Sequence, residues 1–368
     1  RGRGHGSGRW NGRGRVGGSG SGAYIHNIGV SGNPSSTSFS VAVQGCSHGE
    51  LDSIYEALES YRCGGQNGKE PGGLVIGTEN SNNNPPSPQP THINNIDVLL
   101  CCGDVQTLRN ANDFHSLAVP PKYKTIGDFH TYYSGQKIAP ILTIMIGGNH
   151  EASNYLQELH YGGWVAPNIY YLGAAGVVNL CKMRKGENGE DVVSVLRIAG
   201  ISGIYKANHY SLGRYEMPPY DSGSLRSVYH TREVDVKRMR AMSSASSALS
   251  SNPRRTMDIM ITHDWPRGIA HHGNVSQLLQ QKPFFRQEVE QNELGSPAHE
   301  DLLYTLKPRF WFAAHLHVKF EALVQHDNNG GEDGKLSAVN TTTTPTDTMS
   351  YSNNPEGLPT KTITGPSV

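Results

Sequence analysis

Five short runs of β-branched and aliphatic residues each stop at a residue able to bind a metal, and this recurrence limits the possible folds more than any other feature of the 368-residue chain. Ser38-Phe39-Ser40-Val41-Ala42-Val43 leads to Cys46 and His48, and Ile96 to Cys102 leads to Asp104. Ile141 to Ile146 leads through Gly147-Gly148 to Asn149 and His150, Met257 to Thr262 leads to His263, and Phe310 to Ala314 leads to His315 and His317. Runs of this kind read as buried strands, and in open α/β sheets ligands gather outside the carboxyl ends of the strands. Leu51, Ile54, Tyr55 and Leu58 follow the first run at helical spacing, so the domain opens as strand, loop, helix. A further strand is expected over Val192 to Ala199.

Taken singly, each ligand-type residue has an ordinary alternative. Asn149 and His150 would serve as caps of a helix starting near Ala152, Asp104 as another helix cap, His263 as a satisfied core histidine, and His315 with His317 as exposed strand residues. Taken together they fit a two-metal site, which needs a bridging carboxylate and ligands that leave room for water and phosphate. The i, i+2 spacing of Cys46 with His48, and of His315 with His317, lets both members of a pair point the same way from an extended segment.

The rest of the composition dilutes this domain. Hydrophobic residues make up only 36% of the chain, beside 43 Gly and 21 Pro, so low-complexity segments are expected around a normal core. Residues 1–37 are Arg-, Gly- and Ser-rich and are expected to be disordered, acting either as an RNA-touching tail or as a solubilising one. The ordered domain is placed at 38–325, with a low-complexity insertion at 64–95, a Ser-rich loop at 243–255 and a polar tail at 326–368. Net charge is zero, so any basic surface must be local. Five cysteines in a chain this long do not make a disulfide framework, and a reducing compartment is expected. There is no apolar run of the roughly 20 residues that span a bilayer, and the chain is expected to be soluble, not secreted and free of membrane partners.

The strand-end motifs resemble those of the calcineurin-like metallophosphoesterases, and one departure narrows the likeness. Gly45-Cys46-Ser47-His48 puts a cysteine where most of that superfamily has an aspartate, and this is similar to the RNA lariat debranching enzymes. Cys101-Cys102-Gly103-Asp104, Tyr132-Tyr133-Ser134-Gly135, Gly147 to Leu156, Gly162 to Gly173, Ser202 to Lys206, His263-Asp264-Trp265-Pro266 and Ala314 to Phe320 extend the resemblance over about Val41 to Val324. It implies an α/β fold, a two-sheet β-sandwich flanked by helices. It also implies two divalent transition-metal ions, Fe2+ or Zn2+ or else Mn2+, because sulfur ligation makes magnesium a poor occupant. Cys46, His48, Asp104 and His317 would hold one ion. Asp104, Asn149, His263 and His315 would hold the other, with Asp104 as the bridge.

The activity so implied is hydrolysis of the 2′-5′ phosphodiester at the branch point of excised intron lariat RNA. A metal-activated hydroxide would attack phosphorus, and His150 would act as general acid toward the departing 2′ oxygen. Glu151 would orient His150 or the helix behind it, and a thiolate-nucleophile role for Cys46 is disfavoured. Such a substrate implies a nuclear location, with shuttling to the cytoplasm left open, as is the oligomeric state. Family members usually continue beyond the His-Leu-His strand into a region with a Phe-Leu-Ala-Leu-Asp-type stretch; nothing of that kind follows Val324, and a truncated chain is expected.

Residues 203–240 carry seven Lys or Arg against four Asp or Glu, with five tyrosines interleaved, a composition that suits single-stranded RNA, with a solvated loop and helix carrying structural tyrosines as the alternative. The resemblance makes it a lariat recognition segment, with Tyr205, Lys206, Arg226, Tyr229 and His230 as the expected contacts. Two other readings stand beside this one. A protein phosphatase of the superfamily would carry Asp-Arg-Gly after Gly103-Asp104, where this chain has Val105-Gln106-Thr107. A catalytically dead RNA-binding module would have lost ligands, and none is missing here.

Overall fold

A computed structural model describes residues 24–29, 38–62, 96–186, 188–247, 257–326 and 360–364. Twelve strands among them form two six-stranded sheets. The first holds β1 (Tyr24–Gly29), β2 (Ser38–Gln44), β3 (Val98–Cys101), β4 (Thr143–Met145), β5 (Gly163–Ala166) and β6 (Ile169–Tyr171), in the order β1-β2-β3-β4-β6-β5. The second holds β7 (Ala175–Lys185), β8 (Asp191–Ile201), β9 (Ile259–Thr262), β10 (Phe310–Ala313), β11 (Phe320–Val324) and β12 (Thr360–Thr364), in the order β11-β12-β10-β9-β8-β7. Each sheet has four parallel strands at its centre and one antiparallel strand at either edge.

Alternation along the central strands builds the layers. Val41, Val43, Val98, Leu100, Ile144 and Ile146 point between the sheets, where they meet Ile198, Ile259, Ile261, Phe310 and Phe312. The intervening Ala42, Leu99, Cys101 and Met145 point outward beneath the helix Leu51–Arg62, whose Leu51, Ile54, Tyr55 and Leu58 lie buried on them. On the far side Ala199, Met260, Trp311 and Ala313 do the same beneath the helices Glu233–Ser247 and Pro297–Leu306. A chain buried on both faces of its parallel strands reads as continuous apolar runs, which is why these strands stood out in the sequence.

Three expectations about low-complexity stretches change. Tyr24–Gly29, inside the expected disordered tail 1–37, pairs with β2 as an edge strand. Thr360–Thr364, inside the expected tail 326–368, sits between β10 and β11. Both segments carry isoleucine together with tyrosine or threonine, a signal too short to rise above its Gly-, Ser- or Asn-rich surroundings. Ser243 to Ser247, expected in a loop, continue the helix Glu233–Ser247, since Ala241 and Met242 before the stretch and Ala245 within it sustain a helix that serine merely tolerates. The insertion 64–95, residues 248–255 and, apart from His326, the remainder of the tails lie outside the described residues.

Candidate metal centre

The carboxyl ends of β2, β3, β4, β9 and β10 open on one edge of the sandwich, and the loops leaving them carry all the expected ligands. Four of those ligands hold left-handed backbone, with φ of 47° at His48, 55° at Asp104, 64° at His315 and 50° at His317. A non-glycine residue there is strained, and the surrounding structure must over-determine it. The over-determination is visible as bonds between loops. The His48 N–H donates to the Asp104 carbonyl (2.8 Å), the Ala314 N–H to the His263 carbonyl (3.0 Å), and the His315 N–H to Cys46 Sγ (3.3 Å). The two glycines beside the ligands are needed for closeness. A Cβ at Gly103 would lie 2.4 Å from His263 Nδ1, and one at Gly148 would lie 2.2 Å from Asp104 Oδ1.

Ligand atoms of Cys46, His48 and His317 lie within 4.8 Å of one another, as do those of Cys46, Asp104 and His263 and those of His48, Asp104 and His150. His48 Nε2 faces His317 Nε2 at 3.3 Å. His263 Nε2 is 3.1 Å from Asn149 Oδ1 and 3.4 Å from Asp104 Oδ1, and its ring centroid is 5.1 Å from that of His315. All seven expected ligands therefore share one cluster. His150 stands at its mouth, with a side chain 32% exposed and Nδ1 3.3 Å from Asp104 Oδ2. A helix does begin at Ser153, but its N-cap is Ala152 and receives no side-chain bond, so Asn149 and His150 are not caps.

The donor set fits cations. The Cys102 carbonyl can only accept, so His263 Nδ1 donates to it (2.7 Å), and a neutral His263 then turns a lone pair toward two oxygen acceptors. Positive charge, from a proton or a metal ion, is required there. Burial alone would raise the Asp104 carboxyl; His263 and His150 outweigh it and hold the group well below the usual carboxylate range. Burial pushes His315 down to about 3 and His317 to about 4, and lowers His48, so these rings present the neutral nitrogen a metal binds. Burial and Asp104 push the Cys46 thiol well up, which makes it a poor free nucleophile and leaves its thiolate dependent on a bound cation.

Glu151 does something other than orient His150. Its buried carboxylate accepts the backbone N–H groups of Val105 (2.8 Å), Thr107 (3.1 Å) and Gly148 (3.3 Å), which clamps the Asp104 loop to the Asn149 loop. Burial, then the nearby Asp104, raises its pKa to about 7. A Glu two residues after a ligand-type Asn carries no sequence signal of this cross-loop role.

Segment 203–240 folds against the same loops. The Gly203 N–H donates to the Gly147 carbonyl (2.8 Å), and the Tyr205 N–H to Asp264 Oδ2 (3.1 Å). Lys206 and Arg226 are exposed, while Tyr205 and Tyr229 are half-buried. Tyr229 feels the charges of both Arg226 and Asp104. His230 is corrected from an RNA contact to an interior group: it is only 6% exposed, with Nδ1 2.7 Å from His209 Nδ1, and burial drops its pKa to about 3. Two of the seven cations are also turned inward. Arg232 and Glu216 form an ion pair with both side chains 0% exposed, and Arg214 binds Asp235 (2.6 Å). Charge counting cannot tell a cation facing RNA from one locking the segment's own fold. A cavity of about 50 Å³ between Tyr229, Arg214, Glu216 and the Gly147-Gly148 turn has room for a few waters but not for a nucleotide.

Glu216→Ala strands the Arg232 guanidinium in the interior, and should lower unfolding stability by about 3 kcal/mol in urea titrations. A loss under about 0.5 kcal/mol would mean that the pair is replaced by water.

The sequence model of the calcineurin-like phosphoesterase family matches residues 39–319. The chain is 48% identical over 297 residues to the lariat debranching enzyme of Schizosaccharomyces pombe, covering 81% of this chain and 52% of that protein. It is 50% identical over 286 residues to the lariat debranching enzyme of Homo sapiens, covering 78% and 43%, and 48% identical over 289 residues to that of Drosophila melanogaster, covering 78% and 45%. The chain thus spans about half the length of these relatives.

Proposed function

The chain belongs to the calcineurin-like phosphoesterase family, and from that membership we propose that it hydrolyses the 2′-5′ phosphodiester at the branch point of intron lariat RNA. One observation carries the reading: a cluster of Cys46, four histidines, Asp104 and Asn149, buried at Cys46, Asp104 and His263, with His150 at its mouth, in a chain about half identical to lariat debranching enzymes. Two divalent cations, when bound, would neutralise charge on the phosphoryl oxygens and activate the attacking water. In this reading Cys46, His48, Asp104 and His317 hold one, and Asp104, Asn149, His263 and His315 the other. Sulfur from Cys46 favours iron or zinc, with manganese next, over magnesium.

The chain's own groups supply the rest. Asp104 stays ionised and carries two loops on one carboxylate, since its Oδ1 also accepts the His150 N–H at 2.7 Å. His150 directs Nδ1 toward Asp104, and its Nε2 has no hydrogen-bond partner among the described residues. That nitrogen is free to deliver a proton to the departing 2′ oxygen. Lys206, Arg226 and Tyr229 offer phosphate and base contacts on the recognition segment, and Tyr205 positions its start.

The test is cleavage of a 2′-5′ branched RNA against a linear 3′-5′ control by the metal-loaded protein. Selective branch cleavage is expected. His150→Ala should lose about a hundredfold or more in kcat with metal content unchanged. Equal cleavage of the linear strand would sink the substrate assignment, and full activity in the variant would sink the acid role. A nuclear site of action follows from such a substrate, and exclusion of the tagged protein from nuclei would contradict it.

A further inference from the structure

At the other end of the ligand cluster a cation and a bare aromatic ring stand together. The helix Val275–Gln281 is capped at its start by Asn274, whose side chain accepts the Gln277 N–H at 3.0 Å. It ends at Lys282, and Pro283 turns the chain. Of the two phenylalanines that follow, Phe285 enters the core shared by Trp265, Val318 and Phe320, residues that directly continue the His263 and His315–His317 loops. That packing fixes the corner beside the metal ligands. Phe284 points the other way and is 69% exposed, its ring centroid 4.6 Å from that of Phe285.

Lys282 completes the pair. Its Nζ lies 5.9 Å from the Phe284 ring centroid. It has no carboxylate partner among the described residues, unlike Arg214 and Arg232 across the site and unlike Arg286 next to it, which faces Glu290 at 3.9 Å. The recognition segment adjoins the Gly147–Gly148 end of the cluster, and the Lys282–Phe285 corner adjoins the chain that leaves His317, because Phe285 shares its core with Val318 and Phe320. A branch nucleotide carries strands at its 2′ and 3′ oxygens and at its 5′ phosphate, more than one segment can hold. If one strand runs along segment 203–240, another that leaves on the His317 side meets an ammonium with no carboxylate partner for its phosphate and an exposed ring for its base. Those are the two groups by which proteins hold single strands.

We propose that Lys282 and Phe284 form a second strand-binding platform, holding the phosphate and base of a nucleotide next to the branch on a strand that segment 203–240 does not grip. This rests on the debranching reading and adds a site to it. The platform takes single-stranded RNA without base selection, because a phenyl ring stacks on any base.

The experiment compares steady-state cleavage of two branched RNAs, one with a single nucleotide on each arm and one with both arms extended by about three nucleotides, a length within one single-strand binding site. The wild-type protein should show a KM about tenfold lower on the extended substrate, the equivalent of one stacked base. Phe284→Ala and Lys282→Ala should each erase most of that advantage, through KM and not kcat, and Phe284→Trp should keep it. Lys282→Ala should also reduce the salt slope of log KM by about 0.7, one phosphate's share on a single strand. An arm-length advantage intact in both alanine variants overturns the platform. So does a proportional loss on both substrates, which would mark the corner as structural. Failure of the wild-type protein to cleave either RNA would instead overturn the debranching reading and the platform with it.

Discussion

Asp104→Asn should leave the protein folded, strip most of its bound metal and lower branch cleavage by about four orders of magnitude, or about 5.5 kcal/mol of transition-state stabilisation. Asparagine is the informative replacement because Asp104 sits at φ 55°, in the left-handed region that Asn adopts more readily than other non-glycine residues. The loop geometry is therefore kept and the charge alone is removed. That charge is the one His263 Nε2 faces at 3.4 Å and His150 Nδ1 at 3.3 Å, and it belongs to two of the three groups of converging ligand atoms. Without it, positive charge in the cluster has only Cys46 as a formal anionic partner. Metal content by elemental analysis and single-turnover cleavage are the two readouts. Full metal occupancy with more than about 1% of wild-type activity would show that Asp104 is not the bridge, since a bridging ligand contributes several kcal/mol.

How much of this was legible beforehand depends on what surrounds each residue. The strands β2, β3, β4, β9 and β10 were plain because burial on both faces makes them apolar throughout, and because each breaks abruptly at a ligand. β7 was hidden: its burial alternates with exposure and its sequence mixes Asn179, Lys182 and Arg184 with apolar residues. β12 was hidden in a threonine-rich tail. The residues that converge at the strand ends could be picked out by type and spacing, whereas their supports could not. Glu151 acts across sequence on Val105 and Thr107, and Asp264 acts on Tyr205, contacts that exist only once the loops have met. Segment 203–240 was legible as charge and aromatic content but not as direction. Arg232 and His230 look inward, Lys206 and Arg226 outward, and composition is blind to the difference.

Gly148→Ala should lower branch cleavage by about a thousandfold and unfolding stability by about 2 kcal/mol, although every ligand and every charge is retained. Its backbone is not in the left-handed region, so an alanine there is excluded by neighbours alone. The added Cβ would lie 2.2 Å from Asp104 Oδ1, 2.6 Å from the Asp104 backbone N and 2.7 Å from His263 Cε1. None of the three can swing aside cheaply. Asp104 is held by the His150 N–H, its loop by Glu151, and His263 by the Cys102 carbonyl. The Asn149 loop must then retreat by about an ångström, a displacement that costs about a hundredfold where reacting groups are aligned, before any weakening of metal binding is counted. Gly135→Ala is the control. Gly135 has φ 76° but nothing within 4 Å of an added Cβ, so it should lose about 1 kcal/mol of stability and no activity. Cleavage by Gly148→Ala above a tenth of the wild-type rate would mean that the loop yields without disturbing the ligands. If the expected loss is seen, it separates geometry from charge: Asp104→Asn empties the site by removing an anion, and Gly148→Ala disables it by the width of a methyl group.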